Sequence, residues 1–221
     1  KLLMLRNASA ADGTHKPVSG RRDCGIFIEG GRWEESRTRR GGYGTSGMFD
    51  ESRSFFGVWS LFYFSNLDCL LIIGATFAHT AGFAVQVGDV SDCVFEDIAF
   101  DSCYADGLHI NGGTKRCLCR DISGEVGDDL VALNAYDWQN SSVNFGKIED
   151  VWCENLDLAE SSPYKAMRLE TGIYRYDDAS RVDCAIDGAV IRHVRGIRTF
   201  KLYFQTPRYK IGETPERGEV G

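Results

Sequence analysis

The short segment at residues 95–98 (FEDI) is followed 24 residues later by residues 119–122 (CRDI), and this repetition decides the fold. In both segments an apolar residue or Cys is followed by a charged residue, then by Gly, Asp or Asn, then by an apolar residue. The pattern recurs with small variations at residues 72–75, 153–156 and 191–194, so successive starts lie 23, 24, 34 and 38 residues apart. Repetition at such a period is typical of solenoid proteins.

A second alternating strand follows each of the first four repeats. These strands are predicted at residues 83–87, 106–110, 129–133 and 165–169, with a fifth at residues 201–204. Two short strands per period without helical periodicity fit one coil of a parallel β-helix, because each coil buries its apolar face only against its neighbours. We therefore predict an all-β parallel β-helix. A β-sandwich or propeller would have to explain why the repeat lengthens by insertion while its paired strands persist.

One domain is predicted over residues 1–221, with recognisable coils from about residue 24 to residue 205. The two longer intervals place insertions at residues 135–146 and 172–183, and such loops line clefts in solenoids. Neither end shows an obvious cap, and the first residue is Lys. We therefore expect a fragment that lacks end coils, with exposed ends that allow oligomers to form.

Composition narrows the classes of partner. With 25 Lys and Arg against 32 Asp and Glu, the net charge of −7 provides no basic field for nucleic acid or an anionic membrane. No apolar run approaches the roughly 18 residues of a membrane-spanning helix. The 8 cysteines include no CxxC pair, so free buried thiols and a cytoplasmic location are predicted, with secretion left open because a signal peptide could precede residue 1. Scattered His residues and the lack of a glycine-rich phosphate motif predict no metal and no cofactor.

Three acidic side chains are expected to converge. If equivalent strands stack in register, Asp106 and Asp129 begin the same strand of neighbouring coils about 4.8 Å apart, and Asp128 lies beside them. The same column would hold Phe83, Lys165 and Lys201. Stacked like charges repel each other and raise at least one pKa, which indicates a functional site, although residues 127–129 also fit an ordinary turn.

Strand alternation assigns the side chains to two faces. The inward face would carry Leu108, Ile110, Val131 and Leu133. The outward face would carry Asp106, His109, Asp129, Lys165 and Arg168. An outward row of acids, cations and a histidine is expected to line a cleft.

At these residues the chain resembles glycoside hydrolase family 28, which includes the polygalacturonases. That family carries N-T-D-G-[IF]-D, followed about two dozen residues later by [GQ]-D-D, and the matching segments here are residues 105–109 (ADGLH) and 127–133 (GDDLVAL). The resemblance extends loosely from about residue 26 to residue 169. It implies a right-handed, single-stranded parallel β-helix of the pectin-lyase-like type and an inverting hydrolase. Carried over by position, Asp128 would be the general acid, and Asp106 with Asp129 would bind and deprotonate the attacking water.

The chain departs from the family at its cationic motifs. Lys165 stands where the family has a histidine, and residues 198–201 (RTFK) are the nearest match to the family's R-I-K. Because these groups engage the substrate carboxylate in the family, specificity for galacturonides is left open. The predicted substrate-binding residues are His109, Lys165, Arg168, Trp138 and Lys201, where Trp138 would stack on a pyranose ring.

The resulting hypothesis is an inverting glycoside hydrolase that cleaves polysaccharides or oligosaccharides containing uronic acid or rhamnose. One alternative is a polysaccharide lyase in which the acids hold Ca²⁺ and Lys165 or Arg168 acts as the base. Another alternative is a solenoid that binds carbohydrate without turnover, with the acids forming a structural ladder. Calcium dependence and an unsaturated product would identify the lyase, whereas binding unaffected by Asp128→Asn would identify the binding protein.

Overall fold

The computed structural model describes residues 3–10, 20–35, 57–137, 142–175 and 179–203. These residues form strands and contain no helix, so none of them belongs to a helix able to span a membrane. The strands are β1 (Leu5–Arg6), β2 (Asp23–Glu29), β3 (Arg32–Glu34), β4 (Ser60–Ile73), β5 (Thr76–Ala78), β6 (Phe83–Cys103), β7 (Leu108–Asn111), β8 (Lys115–Val126), β9 (Asp129–Asn134), β10 (Ile148–Leu158), β11 (Ala166–Glu170), β12 (Gly172–Tyr174), β13 (Val182–Cys184), β14 (Ile186–Asp187), β15 (Val190–Arg195) and β16 (Thr199–Tyr203).

Most of these strands belong to one curled, 14-stranded sheet in which the neighbours are parallel. The exception is the antiparallel pair formed by β12 and β13. One stack runs through β4, β6, β8, β10 and β15, and a second runs through β6, β7, β9, β11 and β16. The prediction of an all-β fold built on parallel strands is confirmed.

The repeat found in the sequence determines the register of the first stack. The first residues of the five repeats pair in succession: Ile72, Phe95, Cys119, Cys153 and Ile191. The first four of these side chains are buried, and Ile191 packs against the same core. Each period therefore brings the chain back beside its previous turn, with an apolar residue inside.

The third position of the repeat bends the strand. Its residues all have left-handed backbone, with φ between 54° and 66°: Gly74, Asp97, Asp121, Asn155 and His193. Gly adopts this conformation freely, and Asn and Asp tolerate it better than most residues. The preference for Gly, Asp and Asn is thus explained by a corner that every layer turns at the same place.

The second position of the repeat carries alternating charge from layer to layer. Glu96, Arg120, Glu154 and Arg192 are cross-strand neighbours in that order. The ion pairs Arg120–Glu96 and Arg192–Glu154 measure 2.6 and 2.8 Å. Opposite charges across neighbouring strands favour this register, although each exposed pair contributes at most about 1 kcal/mol.

All eight cysteines are free thiols, as predicted. Six are buried: Cys93, Cys103, Cys117, Cys119, Cys153 and Cys184. Cys117 and Cys119 face the same side of β8, and their sulfur atoms lie 3.8 Å apart. The expectation of burial was wrong for Cys24, which is exposed, and for Cys69, which is half-buried.

The last strand of the second stack leaves apolar side chains uncovered. Phe200 and Leu202 pair with the buried Met167 and Leu169, yet they are 46% and 48% exposed. Their side chains face the interior side of β16, where the described residues provide no further layer. This end of the described sheet therefore presents an apolar surface and an unpaired strand edge.

Candidate functional site

The three acids predicted to converge do lie together. One carboxylate oxygen from each of Asp106, Asp128 and Asp129 lies within 4.8 Å of the other two. The Asp129 N–H also donates a hydrogen bond of 3.1 Å to Asp106 Oδ1. These contacts join the turn before β7 to the turn before β9.

A glycine permits this close approach. At Gly127 an added Cβ would lie 1.9 Å from the carbonyl oxygen of Tyr104, which is inside van der Waals contact. Only a residue without a side chain allows the segment ahead of Asp128 to lie so close to the preceding layer. The sequence Gly127-Asp128-Asp129 is therefore a tight interlayer contact as well as a turn.

Two cations lie against the acids. Lys201 Nζ is 2.7 Å from Asp128 Oδ1 and 3.1 Å from Asp129 Oδ1. Arg168 Nη2 is 3.0 Å from Asp129 Oδ2 and 3.5 Å from Asp128 Oδ2. A divalent cation bound by the triad would have to displace this amine or guanidinium, so the residues present fit Ca²⁺ poorly.

Lys201 reaches the acids from a different register than expected. It pairs with Arg168, whereas we predicted it in the column of Asp106 and Asp129. The strand that contains Arg168 carries a register shift against β9, so Ala166 pairs with Asp129 and Arg168 with Ala132. The long side chains of Lys201 and Arg168 then extend from that row to the acids.

Lys165 does not join the acid triad, so its predicted position in the column was wrong. Ala166 occupies the place opposite Asp129, and the Lys165 backbone is left-handed with φ of 49°. Its amine instead pairs with Glu160 at the surface. The register shift in β11 and this left-handed residue explain the difference.

His109 is buried between two carboxylates. Its Nδ1 lies 2.6 Å from Asp106 Oδ2 and its Nε2 lies 2.9 Å from Asp137 Oδ2, while the ring stacks on Phe83 with 3.8 Å between centroids. Burial lowers the pKa of His109, but the two hydrogen bonds and carboxylate charges outweigh it and raise the pKa to about 9. The imidazole is therefore charged at neutral pH.

The expectation that His109 faces an open cleft was wrong, since it is 1% exposed. Residues 57–59 and 142–146 cover this outward face. The Trp59 N–H donates to Gln86 Oε1, and the Val143 N–H donates to Asn111 Oδ1. Residues 142–146, the later part of the first insertion, therefore cover this part of the polar row instead of leaving it open to a cleft.

The aromatic residues of that insertion do not all lie where a sugar could meet them. Tyr136 is buried and packs on Phe145, with ring centroids 5.4 Å apart. Phe145 in turn stacks on Tyr174 at 3.7 Å. Trp138, predicted to bind substrate, lies outside the described residues.

The network of ion pairs at the site holds more acids than cations. It contains five carboxylates, those of Asp106, Asp128, Asp129, Asp137 and Glu170, and three cationic groups, those of His109, Arg168 and Lys201. Burial and the charge of Asp106 raise the pKa of Asp129 to about 7. Burial and the charge of Asp137 raise the pKa of Glu170 to about 8. The network thus retains protons close to neutral pH.

Asp128 is the member of the triad that reaches solvent. Its side chain is 25% exposed, against 2% for Asp106 and 0% for Asp129. It borders a groove of about 480 Å³, which lies within the usual size range of ligand sites. The other lining residues include Tyr104, Glu125, Pro163 and Tyr164.

The two tyrosines give the groove an aromatic surface. Tyr104 is 42% exposed and Tyr164 is 64% exposed. Lys201 Nζ lies 5.8 Å from the centre of the Tyr164 ring, which links this tyrosine to the cations at Asp128. Sequence reasoning missed Tyr104, Glu125 and Tyr164. These three residues could have been found from the sequence, because they lie beside the Asp and Lys motifs, at the same edge of successive strands.

Comparisons of this chain with protein-family models, curated proteins and solved structures found no match.

Proposed function

We propose that this chain is a glycoside hydrolase that binds an oligosaccharide between Tyr104 and Tyr164 and cleaves it beside Asp128. The observation that carries the proposal is that the exposed acid of a converged triad opens on a groove with two exposed aromatic rings. Tyrosine rings stack on the apolar faces of pyranoses, and carboxylates accept hydrogen bonds from sugar hydroxyls. The substrate class remains that of pectin-like glycans containing uronic acid or rhamnose.

We also propose that the curled sheet is a right-handed, single-stranded parallel β-helix. Support comes from the two parallel stacks and from the register in which each repeat pairs with the next. The shared left-handed corner further supports equivalent turns in successive layers.

Asp128 is the general acid in this proposal. The triad holds a proton close to neutral pH, because the pKa of Asp129 rises to about 7. The carboxylate oxygens of Asp128 and Asp129 lie within 4.8 Å of each other, so the proton held at Asp129 can pass to the exposed Asp128. It would pass to the glycosidic oxygen as the bond to the anomeric carbon breaks. Asp129, Arg168 and Lys201 then position and charge-balance Asp128.

The spacing within the triad favours a different source for the base. Inverting hydrolases separate their two carboxyl groups by about 6.5–9.5 Å so that a water fits between base and sugar. The triad offers oxygens within 4.8 Å of one another, and two of its members are buried. Asp106 and Asp129 therefore support Asp128 better than they would activate a water in the groove.

The test compares the unmodified protein with Asp128→Asn on pectic, rhamnogalacturonan and neutral oligosaccharides. We expect kcat to fall by about 100-fold or more in the variant while binding is retained, since general acids contribute on that scale. Asp157→Asn is the matched control, because Asp157 is an exposed acid on β10 away from the groove. Equal turnover by Asp128→Asn and the unmodified protein would contradict the proposal.

Binding without turnover is the second candidate, and the burial of the acids favours it. Asp106 and Asp129 are almost completely enclosed and ion-paired, as members of a structural network would be. This candidate predicts that Tyr164→Ala abolishes sugar binding while Asp128→Asn leaves it unchanged. The calcium-assisted lyase has less support, because Arg168 and Lys201 already contact the acids that would hold the ion.

A further inference from the structure

We propose that Glu125 is the second carboxylate of the groove and acts as the general base that activates the attacking water. This inference rests on the proposed glycoside hydrolase function. Glu125 lines the same groove as Asp128, and it lies on β8 three residues before it. Unlike Asp106 and Asp129, it is partly exposed and can contact a molecule in the groove.

The Glu125 carboxylate is held from both sides. Ser102 Oγ donates a hydrogen bond of 3.2 Å to Oε1, and Ser161 Oγ donates one of 2.6 Å to Oε2. The two serines come from different layers, since Ser102 belongs to β6 and Ser161 follows β10. Hydroxyl donors on both oxygens fix the orientation of the carboxylate. A general base needs such a fixed orientation toward the water that it activates.

The spacing along the chain suits an inverting pair. Three residues of extended chain span at most about 11 Å, so two carboxylates three residues apart can flank a bound sugar. The range that accommodates a water between base and sugar is about 6.5–9.5 Å. The proposal requires the Glu125 and Asp128 carboxylates to be separated by a distance in this range, and both residues line the groove without the help of a buried side chain.

The proposed step balances with one water as co-reactant. The water oxygen forms a bond to the anomeric carbon while Glu125 accepts a proton from that water. The bond between the anomeric carbon and the glycosidic oxygen breaks, and Asp128 donates a proton to the leaving oxygen. Glu125 ends protonated and Asp128 ends ionised, and proton exchange with solvent restores both. The product has the inverted anomeric configuration.

The experiment measures turnover and binding for the unmodified protein, Glu125→Gln, Glu125→Ala and Asp128→Asn on the same oligosaccharides. We expect Glu125→Gln to lower kcat by about 100-fold or more with little change in KM, and to remove the acid limb of the pH profile. Added azide, which needs no proton removed, should restore turnover to Glu125→Ala and yield a glycosyl azide. Glu149→Gln on β10 is the control, and it should behave like the unmodified protein.

A variant that alters only the positioning of Glu125 keeps the proposal testable if the Glu125 variants misfold. Ser161→Ala removes one hydrogen bond that orients the carboxylate, so we expect a loss of about 10-fold in kcat with little change in KM. If Asp128→Asn is inactive while Glu125→Gln and Ser161→Ala keep full activity, Glu125 is not the base and the hydrolase proposal stands. If the unmodified protein binds sugar but turns none over, the hydrolase proposal fails and the base assignment fails with it.

Discussion

Lys201 Nζ lies 2.7 Å from Asp128 Oδ1, so the last described strand supplies a cation to an acid in the turn before β9, two layers earlier. The amine also lies 3.1 Å from the buried Asp129. The groove therefore depends on the docking of β16, because removal of this cation would leave two neighbouring carboxylates with less compensation.

Lys201→Met should destabilise the protein. Loss of one partner from a largely buried ion pair leaves uncompensated charge, and we expect a decrease of about 2–3 kcal/mol in the free energy of unfolding. Urea unfolding at pH 7 measures the change. Lys201→Arg, which keeps the charge, should recover most of the stability. A Met variant as stable as the Arg variant would show that the contact carries no net energy.

The buried His109 should make stability depend on pH. Its pKa in the folded protein is raised to about 9, above its ordinary value of 6.5. The charged His109 therefore contributes roughly 3 kcal/mol to the free energy of unfolding. This contribution is complete below about pH 6.5 and is lost as pH rises through 9. The raised pKa values of Asp129 and Glu170 also make the free energy of unfolding fall as pH rises, over a lower range of pH.

Urea unfolding at a series of pH values from 6 to about 9.5 checks this expectation. The unmodified protein and His193→Gln, which changes an exposed histidine, should both lose stability as pH rises. His109→Gln should be less stable at pH 6 and nearly flat above pH 8. If the NMR signals of the His109 imidazole titrate near pH 6.5 in the folded protein, His109 is not a buried cation.

Gly127→Ala should disrupt the approach of the two acidic turns. The added methyl would lie 1.9 Å from the Tyr104 carbonyl oxygen, and backbone on both sides would have to move. We expect a loss of about 3 kcal/mol, at the upper end of typical overpacking effects. Thermal or urea unfolding measures it, with Ser123→Ala on β8 as the control. An unchanged stability would mean that the two turns are less tightly packed than described.

The left-handed corner predicts a stabilising glycine. His193 has φ of 54° and is largely exposed, so its side chain gains little in return for the strained backbone. Relief of that strain is worth about 1 kcal/mol, and His193→Gly should raise the unfolding free energy by about 0.5–1 kcal/mol. His193→Ala, which keeps the strain, should not. If both variants are equally stable, the corner is not strained at this residue.

The sequence was sufficient to predict the layers because periodicity states which residues are neighbours. The repeat starts at Phe95 and Cys119 pair as expected, and the same spacing brings Asp106 to Asp129. Alternation also separated the buried Leu108 from the polar His109. In each case the prediction depended only on distances along a regular strand.

The parts of the fold and of the site that the sequence did not predict depend on features that periodicity does not encode. Alternation shows which side of the sheet His109 faces, but the covering of that side by residues 142–146 depends on how an insertion folds back. The misplacement of Lys165 came from one register shift between Ala166 and Arg168. The groove at Tyr164 forms between turns, where the chain has no fixed period.

The buried thiols allow local unfolding of this molecule to be followed by chemical labelling. A thiol reagent should modify the exposed Cys24 at once, whereas the thiols of Cys93, Cys119 and Cys153 become reachable only when their own layer separates from its neighbours. Because these cysteines lie on three successive strands, the order in which they are labelled reports which layer opens first. Because the interior contains cysteines in successive layers, thiol labelling can therefore follow unfolding layer by layer.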